Sequence, residues 1–256
     1  VYENTMLTPA DLIIGFSNGG EFHLFSPLDI TSSNQTIEQA SFLVPVATTD
    51  DVNHKYMVAH GDLDGDNFLD LVTVHPGPNE INIYFGINKN SWHNNTPAPI
   101  TLSTPFIPVS SNDQRPQPIS IQGDVNGDGT SDLLVGLSQT NGGLNTAGKA
   151  ILVLGKPTAF WSDASLEAVK DIEFIDLRLT NTTIGYSVTI LPDINQDGFD
   201  DILIGTYEPD TNSGGKAYLV YGRHNFSSLL NESKQFDLSQ ADAQFQDTVA
   251  SRGFSE

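Results

Sequence analysis

The chain has 256 residues, of which 38% are hydrophobic and only 17% charged, so it can bury a sizeable core and is neither a disordered chain nor a charged helical one. Lys and Arg number 11 against 32 Asp and Glu, a formal net charge of −21, which repels phosphate backbones and anionic membrane surfaces and excludes nucleic acid as a partner. There is no cysteine to form disulfides, and no apolar run approaches the roughly 18 residues of a membrane span, so direct membrane insertion is not expected.

In chain order, ADLIIGFSNGGEFHLF (10–25) offers two strands around a Gly-rich turn. YMVAH (56–60) is a short strand leading into GDLDGDNFLD (61–70), then the apolar run LVTV, then the alternating NEINIYFG (79–86). NNTPAPITLSTPF and SSNDQRPQP, with their prolines, read as loops or edge strands. The order then recurs as PISIQ (118–122), GDVNGDGTSD (123–132), LLVG and GKAILVLG (148–155). SDASLEAVKD (162–171) combines a Ser or Asp cap with good helix formers and predicts a short helix on a loop between repeat units. A third pass runs through IGYS (184–187), YSVTIL (186–191), PDINQDGFDD (192–201), ILIG and GGKAYLVYG (214–222), and RGFS (252–255) resembles IGYS.

The first aspartates of the three acidic turns stand 62 and 69 residues apart. Self-similarity at such a period marks a repeat architecture of the propeller or solenoid type, here all-β, with four short strands per unit and the two unlike faces that period-two patterning implies. The units are 1–50 (incomplete), 51–112, 113–180 and 181–250, with 251–256 starting a further one, all in a single domain 1–256. Asp11 falls in register with Asp70, Asp132 and Asp201, but no acidic turn precedes it. The Val1 start lacks Met and a basic or apolar leader, so a processed product or a piece of something longer is expected.

DLDGDNFLD, DVNGDGTSD and DINQDGFDD place oxygen-bearing side chains at loop positions 1, 3, 5 and 9. That spacing folds a backbone around a point and aims hard oxygen donors inward, the chemistry of calcium, which takes six to eight oxygens with flexible geometry. The expected ligands are Asp62, Asp64, Asp66, Asp70 and the Phe68 carbonyl in the first loop. The second offers Asp124, Asn126, Asp128, Asp132 and the Thr130 carbonyl, and the third Asp193, Asn195, Asp197, Asp201 and the Phe199 carbonyl. Gly129, Gly198 and Asn67 occupy position 6, where a left-handed backbone is wanted. Asp, Asn and Gly also make good turns unaided, but turn chemistry does not require one register three times. An EF-hand is disfavoured by the strand-like flanks and by Thr73, Val135 and Ile204 at position 12 in place of Glu. Three structural calcium ions would stabilise the fold by about 1.4 kcal/mol each when calcium is about tenfold above Kd.

IGYS, DINQDGFDD and ILIGTYEP (202–209) together resemble the FG-GAP repeats of integrin α-subunit propellers and their bacterial relatives. The resemblance covers nearly the whole chain; the acidic turn is its specific part, and the other two elements are degenerate in the second and third units. It implies a β-propeller of four-stranded blades, usually seven, outside the cell or on its surface. Four blade positions cannot make seven, so the chain is expected to be an open fragment, with a half that pairs with another chain or an unusual closed ring as the other possibilities.

Function read at this level is a non-catalytic, calcium-stabilised recognition or adhesion module presenting loops to a protein or glycan, with self-association or pairing with another chain to complete the propeller. A lectin stacking Trp92, Trp161, Tyr84 or Tyr207 on sugar faces is one alternative, and the accessory propeller of a secreted hydrolase another. The six histidines, at 23, 54, 60, 75, 93 and 224, form no metal doublet, and neither G-x-S-x-G nor H-E-x-x-H occurs. DITSS (29–33) faintly resembles an adhesion metal-site motif in the wrong context. Sequons at Asn34, Asn94, Asn181, Asn225 and Asn231 would make a glycoprotein only in a eukaryotic secretory pathway.

Overall fold

The computed structural model describes residues 12–15, 21–25, 42–45, 57–68, 70–75, 80–86, 98–104, 117–138, 148–178, 183–207 and 215–246, the first three segments by backbone alone. Asp11, Asn34, Trp92, Asn94, Asn181, the histidines at 54 and 93, DITSS and RGFS lie outside them.

The second, third and fourth sheets each begin from the same device, a pair of antiparallel strands joined across an acidic turn. β1 (Leu12–Gly15), β2 (Glu21–Phe25) and β3 (Phe42–Pro45) form a three-stranded sheet. β4 (Met57–Gly61), β5 (Asp70–His75), β6 (Glu80–Tyr84) and β7 (Ile100–Ser103) follow one another antiparallel in the second sheet. The third contains β8 (Ile119–Ser120), β9 (Leu133–Leu137), β10 (Lys149–Val153) and β12 (Ile172–Ile175). The fourth contains β13 (Ser187–Leu191), β14 (Asp201–Gly205), β15 (Lys216–Val220) and β17 (Ala243–Gln246). β4 touches β8 and β8 touches β13, so the first strands of consecutive sheets lie side by side. The result is an all-β, propeller-like succession of four-stranded sheets.

Two further strands cross between sheets. β11 (Ala164–Ser165), from the connection between β10 and β12, adds parallel to the outer edge of β7, and β16 (Gln235–Asp237) adds in the same way to β12. The expected helix is a single turn, Leu166–Val169, with the Ser165 hydroxyl accepting from Ala168 N at 3.2 Å. It lies within the third unit rather than between units, because the third-to-fourth strand connection is the one that reaches the preceding sheet. Lys149 and Lys170, both bridged to Glu167 and Glu173, pin it to the sheet.

Among the described residues, two apolar cores lie between consecutive sheets. Leu63, Val72, Ile81, Ile83 and Leu102 of the second sheet pack against Leu133, Val135, Ile151 and Val153 of the third. The other face of the third, Leu134, Ala150, Leu152 and Phe174, packs against Ile202, Ile204, Tyr218 and Val220 of the fourth. The period-two pattern gave GKAILVLG two unlike faces, yet β10 is buried at four of its five positions; β9, from the apolar run LLVG, is buried at all five. A sheet covered on both sides has no solvent face, and its strands become continuous apolar runs.

Candidate metal centre

The three acidic turns adopt one conformation, built from the side chains outward. The position-1 aspartate accepts three backbone N–H groups: Asp62 from Gly65, Asp66 and Asn67 at 2.8, 3.1 and 2.9 Å, Asp124 from Gly127, Asp128 and Gly129, Asp193 from Gln196, Asp197 and Gly198. Position 3 (Asp64, Asn126, Asn195) accepts from the N–H of position 5. Position 5 (Asp66, Asp128, Asp197) accepts in turn from the N–H of Phe68, Thr130 or Phe199. Winding a chain this tightly requires left-handed residues. Position 6 is left-handed as expected (Asn67, Gly129, Gly198), and so is position 4, at Gly65, Gly127 and Gln196. Sequence reading missed the second requirement because Gln196 hides it; glycine at the other two loops was the available signal.

The position-9 aspartates behave differently. Asp70 is buried and accepts from Leu63 N at 2.7 Å on one oxygen and Gly86 N at 2.6 Å on the other. Asp132 accepts from Val125 N and Gly155 N at 2.8 and 2.9 Å, and Asp201 from Ile194 N and Gly222 N at 2.9 and 3.0 Å. Each therefore ties the start of its loop to the glycine that ends the third strand. Those glycines close NEINIYFG, GKAILVLG and GGKAYLVYG, so the partner was visible in the sequence although its role was not.

In the first loop, carboxylate oxygens of Asp62, Asp64 and Asp70 come within 4.8 Å of one another. Among the described residues this is the one group of three His, Cys, Asp or Glu side chains so arranged, and Asp66 stands outside it. The second and third loops carry Asn at position 3, so a comparable triad of carboxylates cannot form there.

Burial pushes the Asp70 carboxyl up to about 8, against the pull of the Gly86 and Leu63 N–H groups and with added repulsion from Asp64 and Asp66. Burial likewise raises Asp132 to about 7, opposed by the Gly155 and Val125 N–H groups and reinforced by Asp124 and Asp128. Asp66 is raised by burial and by repulsion from Asp64 and Asp62, despite its bond from Phe68 N. At Asp128 burial also raises, but hydrogen bonds from Thr130 and Asn126 outweigh it and hold the carboxyl low. Ionised together, these groups are strained by their own field, which a bound cation relieves. Hard oxygen donors converging in a flexible turn fit calcium.

The turns also interlock, a feature sequence reading did not find. Ser131 N donates to Asp62 O at 2.7 Å and Lys156 N to Leu63 O at 2.9 Å; one repeat later Asp200 N donates to Asp124 O at 3.0 Å and Arg223 N to Val125 O at 2.8 Å. Thr158 of the third unit donates its hydroxyl to Asp64 Oδ2. Of the aromatic residues proposed for sugar stacking, Trp161 is buried, lies beneath Lys156 and donates to its carbonyl, and Tyr84 is buried in β6. Neither can receive a sugar. Tyr207 is exposed and stacks on Tyr186, with ring centroids 4.9 Å apart.

Residues 62–135 match the FG-GAP-like repeat family and residues 184–220 the FG-GAP repeat family. The chain is also similar to integrin alpha-V of Gallus gallus, 25% identical over 186 residues, a match covering 69% of this chain and 16% of that protein. It thus spans under a fifth of the relative's length. The two repeat matches fall on the acidic turns described above, and with the integrin relative they support an integrin-alpha-like FG-GAP repeat protein.

Proposed function

We propose that this integrin-alpha-like FG-GAP repeat protein is a non-catalytic recognition or adhesion module, working outside the cell or at its surface, in which calcium holds the acidic turns and loops present a protein or glycan ligand. The observation that carries the calcium reading is the threefold identity of the turn. Three sequences identical only at positions 1, 5 and 9 wind their backbones around the same oxygens. In the first, Asp62, Asp64 and Asp70 converge. The expected ligand set remains that of the sequence: Asp62, Asp64, Asp66, Asp70 and the Phe68 carbonyl; Asp124, Asn126, Asp128, Asp132 and the Thr130 carbonyl; Asp193, Asn195, Asp197, Asp201 and the Phe199 carbonyl.

The ion's work on this reading is structural. It neutralises the carboxylates at the junction of two strands and so stiffens the turn on which the next unit leans. The recognition reading is supported by the integrin relative and by an architecture whose repeats serve as rigid supports for loops.

Native mass spectrometry of the chain in calcium and after chelation tests the metal assignment, with three ions per chain expected. Absence of bound calcium would remove it and leave the turns held by their hydrogen bonds alone.

A further inference from the structure

We propose that the first acidic turn is a site shared between two units, in which Thr158 of the third unit is a positioning residue for calcium, acting through the Asp64 carboxylate of the second; this step rests on the calcium reading above.

The first turn differs from the other two at position 3, where Asp64 stands in place of Asn126 and Asn195. Asp64 is one of the three carboxylates whose oxygens converge, and at 8% exposure it is largely shielded from water. Its hydrogen bonds come from the protein: Asp66 N donates to Oδ1 at 3.2 Å, and the Thr158 hydroxyl donates to Oδ2. A carboxylate offers about four lone-pair sites, so both bonds leave room for an ion. The neutral counterparts are satisfied differently. Among the described residues, Asn126 bonds only within its own turn, giving its amide to Asp128 at 2.8 Å and accepting from Asp128 N at 2.9 Å. Asn225 follows the third-strand glycine of the fourth unit by three residues, as Thr158 does in the third, and it turns away to accept from Ser227 N at 2.8 Å. The donor from the next unit thus accompanies the additional carboxylate.

Thr158 is held rigidly where it meets Asp64. Lys156 N donates to Leu63 O at 2.9 Å and seats the segment on the turn. Residues Thr158–Phe160 then form one 3-10 turn, closed by Phe160 N to Pro157 O and Trp161 N to Thr158 O at 2.9 and 3.0 Å. Trp161 anchors that turn in the core shared by the second and third sheets, and its indole N–H donates to Lys156 O at 2.7 Å. On the other side Ser131, also of the third unit, donates its N–H to Asp62 O at 2.7 Å and accepts Asp62 N on its hydroxyl at 3.2 Å. A hydroxyl fixed in this way orients Asp64 in advance and opposes its swinging away from Asp62 and Asp70 as the three repel one another. In return, an ion held by Asp64 tightens the junction of the two units, because one of its ligands is bonded across that junction.

Asp128→Ala and Asp197→Ala, both at exposed positions, remove a carboxylate from the second and third turns, so calorimetric calcium titration in that background reads the first turn. Thr158 is itself exposed and accommodates either replacement: Thr158→Val keeps the shape without the donor, and Thr158→Ser keeps the donor. Val is expected to weaken calcium binding by about tenfold or more, the usual effect of removing the group that holds a metal ligand, and Ser to return it to within about threefold. Hydrogen exchange supplies a second readout. Calcium should slow exchange of the Ser131 and Lys156 amides in the Thr and Ser proteins and have little effect there in the Val protein. A hydroxyl that only braces the two units would lower protection at those amides in chelator and leave calcium affinity unchanged. That result, or equal weakening by Val and Ser, overturns the proposal while the calcium reading stands, and so does a background that binds no calcium when the parent chain does. A parent chain that binds none overturns both.

Discussion

Asp64 and Asp132 are both buried loop aspartates, yet they are expected to fail differently when altered. Asp132 accepts two buried N–H groups, one from Val125 in its own loop and one from Gly155 beyond β10, and Asp132→Asn puts an amide NH₂ against one of them. A buried donor left without its acceptor costs about 1–3 kcal/mol, so this variant should lose roughly 2–4 kcal/mol of unfolding free energy in denaturant titration even in chelator, where there is no ion to lose. Asp64 accepts Asp66 N, and an Asn oxygen does the same work in the equivalent positions at Asn126 and Asn195. Asp64→Asn should therefore be nearly neutral in chelator and lose about 1.4 kcal/mol only where calcium is about tenfold above Kd. Equal losses for Asp64→Asn in both conditions would show that its charge serves the turn and not an ion. Acidity adds a second expectation. The folded chain holds protons on Asp70 up to about 8 and on Asp132 up to about 7, whereas unfolded aspartates release theirs near the ordinary value of about 4. Between those limits the native state binds more protons, so in chelator stability should fall as pH rises from 5 to 8, by at most about 1.4 kcal/mol per pH unit for each group. Calcium should flatten the dependence by stabilising the ionised form; a chelated protein that gains stability across that range would contradict the burial of these two carboxyls.

At the scale of elements, glycines separate backbone strain from contact between units. Gly222 follows β15, and a Cβ there would meet the backbone oxygens of Asp200 and Val125 at 2.1 and 2.9 Å; Gly129, at φ +90°, has nothing within 4 Å. Gly129→Ala should cost about 1–2 kcal/mol, the left-handed penalty alone. Gly222→Ala must push apart the third and fourth units where Arg223 N meets Val125 O, and should cost about 1–3 kcal/mol with a local loss of amide protection at Arg223. Unchanged protection there would mean that the interlock can yield. These positions also show what was legible in the sequence. The strands, the loop positions and the left-handed Gly129, Gly198 and Asn67 followed from local chemistry, because turn and strand preferences act over a few residues. The bracing role of Asp70, Asp132 and Asp201, the cross-sheet strands β11 and β16, and the Thr158 contact to Asp64 did not. Each depends on a partner brought near by sheet packing, 16 residues away for Gly86 and 94 for Thr158, and no local period encodes that distance.

For the whole molecule, burial is graded along the repeat. The third sheet is covered on both faces, sharing one core with the second sheet and another with the fourth, while among the described residues the fourth shares a core with the third alone and ends at β17, whose last three residues are exposed. Opening the third sheet must break both cores; opening the outer part of the fourth exposes little apolar surface that is not already in water. Stability in repeat architectures is a sum of unit and interface contributions, so local opening should cost least at β17 and most at β9 and β10. Native-state hydrogen exchange in calcium is expected to show β10 amides exchanging only through global unfolding and β17 amides exchanging first, with β14 and β15 between them. Chelation weakens the turns that support each interface and should lower protection in the fourth sheet before the third. Uniform protection across both sheets, lost together on chelation, would mean that the repeats unfold as one unit and that the uncovered face carries no cost.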